Sequence, residues 1–347
     1  MNAYQLYRLV RILGIRHVFK VKKLHEDMLR YARGYMVSQC MSGLLNLGFF
    51  QMLSDDKKID IDLYAAENNL DKKILKSVCE YLYSLRILKK YEDAYMLDSE
   101  GKRLSDLSQG VFDFLYAYAP LFHDLGPLLK KEKTYGRDIF RREKFVAKGS
   151  AGITRYLPFP MAEDIIKTYG FRRILDLGCG SGEFLISLCE KNDDIKCYGV
   201  DISGEAIFFA REKVSEAGKG DKINLSVSSI FELDEIAKKW DDVEVLVSMF
   251  VLHEFLFEGK ERVITLLRRL KKNFPGRYLI VCELCKEPLE SLRKRPTAIA
   301  EHHLFHALSN QGVITFEEWK DIFREAGYGL AETRKFDFAG QAYFVVR

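Results

Sequence analysis

Four of the seven histidines stand where they could do chemistry. His253 precedes Glu254 in Ser248-Met249-Phe250-Val251-Leu252-His253-Glu254-Phe255, while His302, His303 and His306 share one short segment, Glu301–Gly312. On a helix His302 and His306 lie on one face at i, i+4, and His303 and His306 are neighbours at i, i+3. An imidazole, which titrates near neutral pH, can take a proton from a phenol or an enol. Two imidazoles and a carboxylate can instead hold a metal, in an arrangement that suits non-haem iron, and His-rich sets also hold zinc or nickel. A polar helix face or a cap is the plain alternative for any one of the later histidines.

A second constellation is Ile174-Leu175-Asp176-Leu177-Gly178-Cys179-Gly180-Ser181-Gly182. Three alternating glycines at the end of a strand let the backbone turn tightly and approach a ligand. The spacing is not Gly-x-Gly-x-x-Gly and lacks the Lys-Ser/Thr of a phosphate loop, which disfavours a dinucleotide or ATP. Asp201 ends the next strand, where a carboxylate can accept both hydroxyls of a ribose.

These residues need a sheet to position them, and the sequence supplies one from Arg172 onward. Ile174–Leu177, Lys196–Asp201, Ile223–Val227, Val243–Ser248 and Arg277–Cys282 are short apolar or β-branched runs. Between them run helical stretches such as Glu183–Lys191, Glu205–Ala217 and Lys260–Lys272. Alternation of this kind implies a parallel sheet with right-handed crossovers. Gly329–Phe336 and Gln341–Val346 end the chain as an antiparallel hairpin.

Upstream, helical patterns over Asp27–Gly43, Leu63–Glu67 and Asp71–Leu88 lead into a hairpin at Lys89–Leu97, the outline of a winged helix. Lys72, Lys73 and Lys76 would suit DNA, but Asp71, Glu80, Glu92 and Asp93 oppose it, and the apolar Leu44–Phe50 segment asks for a protein partner. The aromatics of Phe112–Phe140 are candidates for one wall of a site. Arg155, in Arg155–Met161, could hold a carboxylate or lie on the surface. Small residues at Gly149–Gly152 suggest a boundary, giving 1–107 as a helical dimerisation domain, 108–150 as a linker lining the site and 151–347 as the catalytic domain.

Of the 347 residues, 48% are hydrophobic and 30% charged, with a net charge of +4 spread along the chain, so no nucleic-acid stripe is expected. Seven cysteines in mostly apolar segments, including Cys282 and Cys285, read as buried reduced thiols of a cytoplasmic protein. There is no spanning run of about 18 apolar residues. Met1–Lys23 reads as an amphipathic helix that packs on the protein, with attachment to a membrane surface as the alternative, and no membrane is counted among the expected partners.

The glycine motif, Asp201 and the strand pattern together resemble the class I S-adenosylmethionine-dependent methyltransferases. The resemblance implies a Rossmann-like α/β domain, with a mostly parallel sheet and C-terminal hairpin, behind an N-terminal winged-helix dimerisation domain. It implies S-adenosylmethionine contacts at Asp176, Gly178, Gly180, Gly182, Asp201, Ser229, Ile230 and Ser248; the family usually has Asp where Ser229 stands. His253 and Glu254 match the His-acid pair of the small-molecule O-methyltransferases, with Phe255 replacing the usual Trp. With the later His and Gln311-Gly312-Val313-Ile314-Thr315-Phe316-Glu317-Glu318-Trp319, the chain resembles more narrowly the metal-dependent α-keto acid C-methyltransferases. That implies His253, Glu254 and His306 as ligands of iron, zinc or nickel, a small-molecule acceptor and a homodimer. The rival expectations are a metal-free O-methyltransferase with His253 as general base, and a winged-helix regulator that senses S-adenosylmethionine without chemistry.

Overall fold

The computed structural model describes residues 3–53 and 57–347. Two compact units divide between Tyr116 and Ala117, inside one helix, Ser99–His123. Gly149–Gly152 lies within a helix, Glu143–Thr154.

The first unit opens with helix α1 (Ala3–Leu13) and the long α2 (Ile15–Asn46), separated at Gly14, whose φ of 76° and ψ of 148° suit glycine. Helices α3 (Ile61–Glu67) and α4 (Lys72–Ser84) start on Asp60 and Asp71, whose carboxylates accept N–H groups of the first turn. A short sheet follows the order β1 (Ile59–Asp60), β3 (Ala94–Leu97), β2 (Leu88–Tyr91). The β2–β3 hairpin is where the sequence places it, whereas two-residue β1 is too short to leave a periodic signal.

Two expectations for this unit are corrected. Leu44, Leu45, Phe49 and Phe50 are not left for a partner; they are buried in the unit's own core with Tyr64, Leu82 and Tyr95. The opening segment is not buried as expected: α1 has no buried residue. Met1 and Asn2 lie outside the described residues.

The second unit is built on a seven-stranded sheet in the order β6-β5-β4-β7-β8-β10-β9. Its strands are β4 (Arg173–Leu177), β5 (Lys196–Asp201), β6 (Ile223–Val227), β7 (Val245–Met249), β8 (Tyr278–Leu284), β9 (Leu330–Phe336) and β10 (Gln341–Val346). The first five in that spatial order run parallel, and β10 is antiparallel to both its neighbours. Alternate residues feed two cores, Leu175, Leu246 and Val281 on one face, Ile174, Val245 and Ile280 on the other. Chain order reverses between β4 and β7, so a crevice opens at the carboxyl ends of those strands, where open α/β sheets bind ligands. Gly178–Gly182 leaves β4 there, and Phe250–Glu254 leaves β7 there.

Candidate active site

The glycine loop turns back on β5 through backbone N–H groups of Gly178 and Cys179, both donating to the Val200 carbonyl at 2.8 and 2.9 Å. Gly178, Gly180 and Gly182 have φ of 81°, 52° and 74°. A Cβ on Gly178 would stand 2.6 Å from Val251 Cγ2, so the loop admits glycine there for space as well as for conformation. Asp201 accepts from Gly180 N at 2.9 Å and from Ser203 N at 2.8 Å, which fixes its carboxylate at the mouth of the crevice while lone pairs remain for a ligand's hydroxyls. Asp176 is buried at the end of β4; burial, and then the Asp201 charge, push its carboxyl up to about 8. Such a group is poised to gain from a cation beside it.

At the remaining cofactor positions the side chains divide. Ser248 is buried on β7 with its hydroxyl lacking a protein partner, a group that asks for a ligand or a water. Ser229 Oγ accepts from Phe231 N at 3.2 Å, so it caps its own turn and keeps a lone pair to offer. Ile230 sends its side chain into the core, leaving only its backbone for a ligand.

His253 is buried in a short 3₁₀ segment, Leu252–Glu258, following Phe250, whose φ of 57° is unusual for a bulky residue. That turn is held by Phe250 N donating to the Cys282 carbonyl at 2.9 Å. His253 Nδ1 lies 2.7 Å from Glu283 Oε2, and Glu283 Oε1 accepts from Leu252 N at 2.8 Å and from His253 N at 3.3 Å. Burial pulls the imidazole's pKa down, but the fully buried Glu283 carboxylate outweighs it and holds the pKa above the ordinary value. His306 faces His253 with ring centroids 4.7 Å apart, and its Nδ1 is bonded to the His302 carbonyl. Burial, and then the neighbouring His253, drive His306 down to about 3, so it is neutral throughout the physiological range.

Glu254 does not join these imidazoles. Its Oε1 accepts instead from Gln311 Nε2 at 3.0 Å and Arg141 Nη2 at 3.3 Å, because the 3₁₀ turn directs consecutive side chains apart. Among the described residues no group of three His, Cys, Asp or Glu stands together as a metal set. His302 stacks on His306 at 6.2 Å, whereas His303 lies nearer Lys286 and Glu287. Arg155 pairs with Glu183 at 3.1 Å, just past the glycine loop.

Residues 172–327 match the family model of a methyltransferase domain. The 2-ketoarginine methyltransferase of Streptomyces arginensis is 23% identical over 318 residues, which cover 90% of this chain and 90% of that protein. The indolepyruvate C-methyltransferase of Streptomyces griseus is 28% identical over 187 residues, 53% of this chain and 54% of that one. The chain is an S-adenosylmethionine-dependent methyltransferase. Its fold is shared with human N-acetylserotonin methyltransferase, solved in complex with S-adenosylmethionine, at a TM-score of 0.70 and 17% identity over 93% of this chain and 97% of that one.

In the methyltransferase the donor methyl is already activated by its sulfonium, so the protein's task is to orient an acceptor and make it nucleophilic. Reading the sequence missed two residues beside that task. Glu283 is a lone carboxylate in an otherwise apolar strand that is buried from Leu279 to Leu284, and that is a legible signal, because a buried charge needs a partner. Arg141 lies in an irregular stretch with no periodicity, yet its side chain is only 11% exposed. It donates to Glu143 at 2.8 Å, Tyr118 Oη at 3.2 Å and Glu254 at 3.3 Å. Tyr118 also stacks on Phe305 at 4.6 Å, which brings an aromatic wall next to the histidines.

Proposed function

We propose that the enzyme methylates the carbon next to the keto group of a small α-keto acid, with a metal ion held by His253 and His306. The facing imidazoles carry this reading. Each has Nδ1 committed, one to Glu283 and the other to a backbone carbonyl, which fixes ring orientation and tautomer and reserves Nε2 for a ligand, the pattern typical of metal-binding histidines. The donor set fits a metal as a pair of imidazoles; Glu254 falls outside it. A bound ion would act as a Lewis acid toward a chelated keto group. Arg141 is suited to hold the acceptor's carboxylate, since Glu143 and Tyr118 fix its guanidinium beside the pair. Asp176, the glycine loop, Asp201, Ser229, the Ile230 backbone and Ser248 would hold S-adenosylmethionine. The two relatives whose names carry a keto acid support the choice of acceptor.

The second reading is metal-free O-methylation with His253 as general base, and the His253–Glu283 pair favours it equally, because a buried carboxylate also strengthens a base. Metal content of the purified protein, together with product analysis on a panel of α-keto acids and phenols, decides between them. Stoichiometric metal and a C-methylated keto acid support the first; absent metal and an O-methylated phenol support the second.

The N-terminal unit we read as a winged helix that pairs two copies in the cytoplasm. Met28, Tyr31, Tyr35 and Met36 stand exposed along α2 among Glu26, Asp27, Arg30 and Arg33, and this mix of apolar surface and both charge signs suits self-pairing.

A further inference from the structure

The two imidazoles sit on different elements, and one turn joins those elements. His253 belongs to the 3₁₀ segment Leu252–Glu258, and His306 to the last turn of the helix Ile299–Leu308. The helix ends at Ser309, whose hydroxyl donates to the Phe305 carbonyl at 2.9 Å, and Asn310 turns the chain with a φ of 52°. The next two residues reach back to the 3₁₀ segment: Gln311 Nε2 donates to Glu254 Oε1 at 3.0 Å, and Gly312 N donates to the His253 carbonyl at 3.3 Å. Gln311 N donates to the His306 carbonyl at 2.8 Å, so this one turn is bonded to the backbone of both histidines. Gly312 lies outside the left-handed region, and its conformation does not call for glycine. Space does: a Cβ there would stand 2.4 Å from Leu256 Cβ, inside the 3₁₀ segment. The far end of the helix is seated in a like manner, where a Cβ on Gly340 would stand 2.7 Å from Ile299 Cβ.

We propose that Gly312 is a positioning residue, whose missing side chain lets the Ser309–Gly312 turn close on the 3₁₀ segment and hold His306 over His253. This role rests on the reading of the facing imidazoles as the reacting site. Carbon atoms in contact prefer a separation of about 3.5–4.0 Å, so an added methyl would part the turn from the segment by about 1 Å. Neither side gives freely, because the atom it would strike is a Cβ fixed to the backbone and the interior is close-packed. Gln311 N and Gly312 N tie the turn to both histidines, so the separation passes into the distance between the rings, whose centroids are 4.7 Å apart. A misplacement of about 1 Å at a reacting centre costs about a hundredfold in rate. Gly178–Gly182 and Asp201 take no part in these contacts, so cofactor affinity should not follow the rate.

The test is kinetic, on the full-length enzyme, with the member of the α-keto acid and phenol panel that the wild type methylates. Gly312→Ala should lower kcat about a hundredfold while calorimetry gives the wild-type affinity for S-adenosylmethionine. Leu256→Gly removes the atom that the new methyl strikes, so the double variant G312A/L256G should run about tenfold faster than Gly312→Ala alone, although it has lost more side chain. Diethyl pyrocarbonate gives a readout that needs no acceptor: His306, buried in the wild type, should be carbethoxylated faster in Gly312→Ala, as mapped by mass spectrometry. Gln311→Ala unties the turn from Glu254 without adding bulk; it should shift both readouts in the same direction, and it stands in if Gly312→Ala does not fold. A Gly312→Ala enzyme with the wild-type kcat, a parallel loss of rate and cofactor affinity, or a double variant no faster than Gly312→Ala would each overturn the positioning role alone. Full activity in His306→Ala would instead remove the reading of the imidazole pair, and the role of Gly312 with it.

Discussion

At the scale of single residues, the crevice works by fixing a few groups before any ligand arrives. Asp201 is oriented by two backbone N–H groups, so its loss removes a brace for the glycine loop and, on the cofactor reading proposed above, the acceptor for the ribose hydroxyls. Asp201→Ala should weaken S-adenosylmethionine binding by about 1.5–3 kcal/mol, measured by calorimetry. Glu283 acts through His253. Glu283→Gln should lower the imidazole's pKa and, on the metal reading, cut metal affinity by about 10–100-fold. A metal titration checks the second effect. Because protons compete with a metal for Nε2, wild-type activity should fall as pH drops through the raised His253 pKa, and in Glu283→Gln the midpoint of that fall should move to lower pH. His306→Ala distinguishes the two chemistries: it should abolish metal binding and activity on the metal reading, and be mild if His253 is only a base.

At the scale of elements, two short turns place everything. The β4 turn has its backbone at positive φ and Val251 pressed against Gly178, so Gly178→Ala meets steric overlap as well as a conformational cost of about 1–2 kcal/mol. The variant should melt lower and lose cofactor affinity together, which thermal shift with and without S-adenosylmethionine would show. The β7 turn aims His253 into the crevice and Glu254 out of it. Helix Phe316–Glu325 starts on a capping box between Thr315 and Glu318 and buries Trp319, whose indole N–H donates to the carbonyl of Leu284, the residue after Glu283, at 3.2 Å. The Gln-to-Trp stretch that supports the family resemblance is therefore also a structural brace beside Glu283.

At the scale of the whole molecule, buried titration should govern stability on the acid side. His306 has a folded pKa of about 3, below the ordinary value near 6.5 of an unfolded chain. Between those values the unfolded state binds more protons, so stability falls as pH drops from about 6.5 toward 3. His253, raised in the folded state, contributes fully below the unfolded pKa and loses that contribution as pH rises through its folded value. His306→Gln should therefore lose less of its melting temperature than wild type between neutral pH and about pH 4.5, read by calorimetry. Light scattering should give a dimer mass at micromolar concentration, and a monomer would count against pairing through Met28–Met36.

How much was legible in the sequence follows from the range of each signal. Periodicity and glycine spacing are local, so Lys196–Asp201, Ile223–Val227 and Glu183–Lys191 could be read to the residue, and with them the crevice motif and the methyltransferase assignment. The burial of Leu44–Phe50 could not be read, because an apolar run looks the same whether its own core or a partner covers it. Which carboxylate stands beside His253 is likewise a tertiary matter. Glu254 is next to it in the chain but turned outward, while Glu283 is brought to it by the pairing of β7 with β8. Residues thus state which chemistry is available, and only the register of strands and the direction of a turn decide which of them meet.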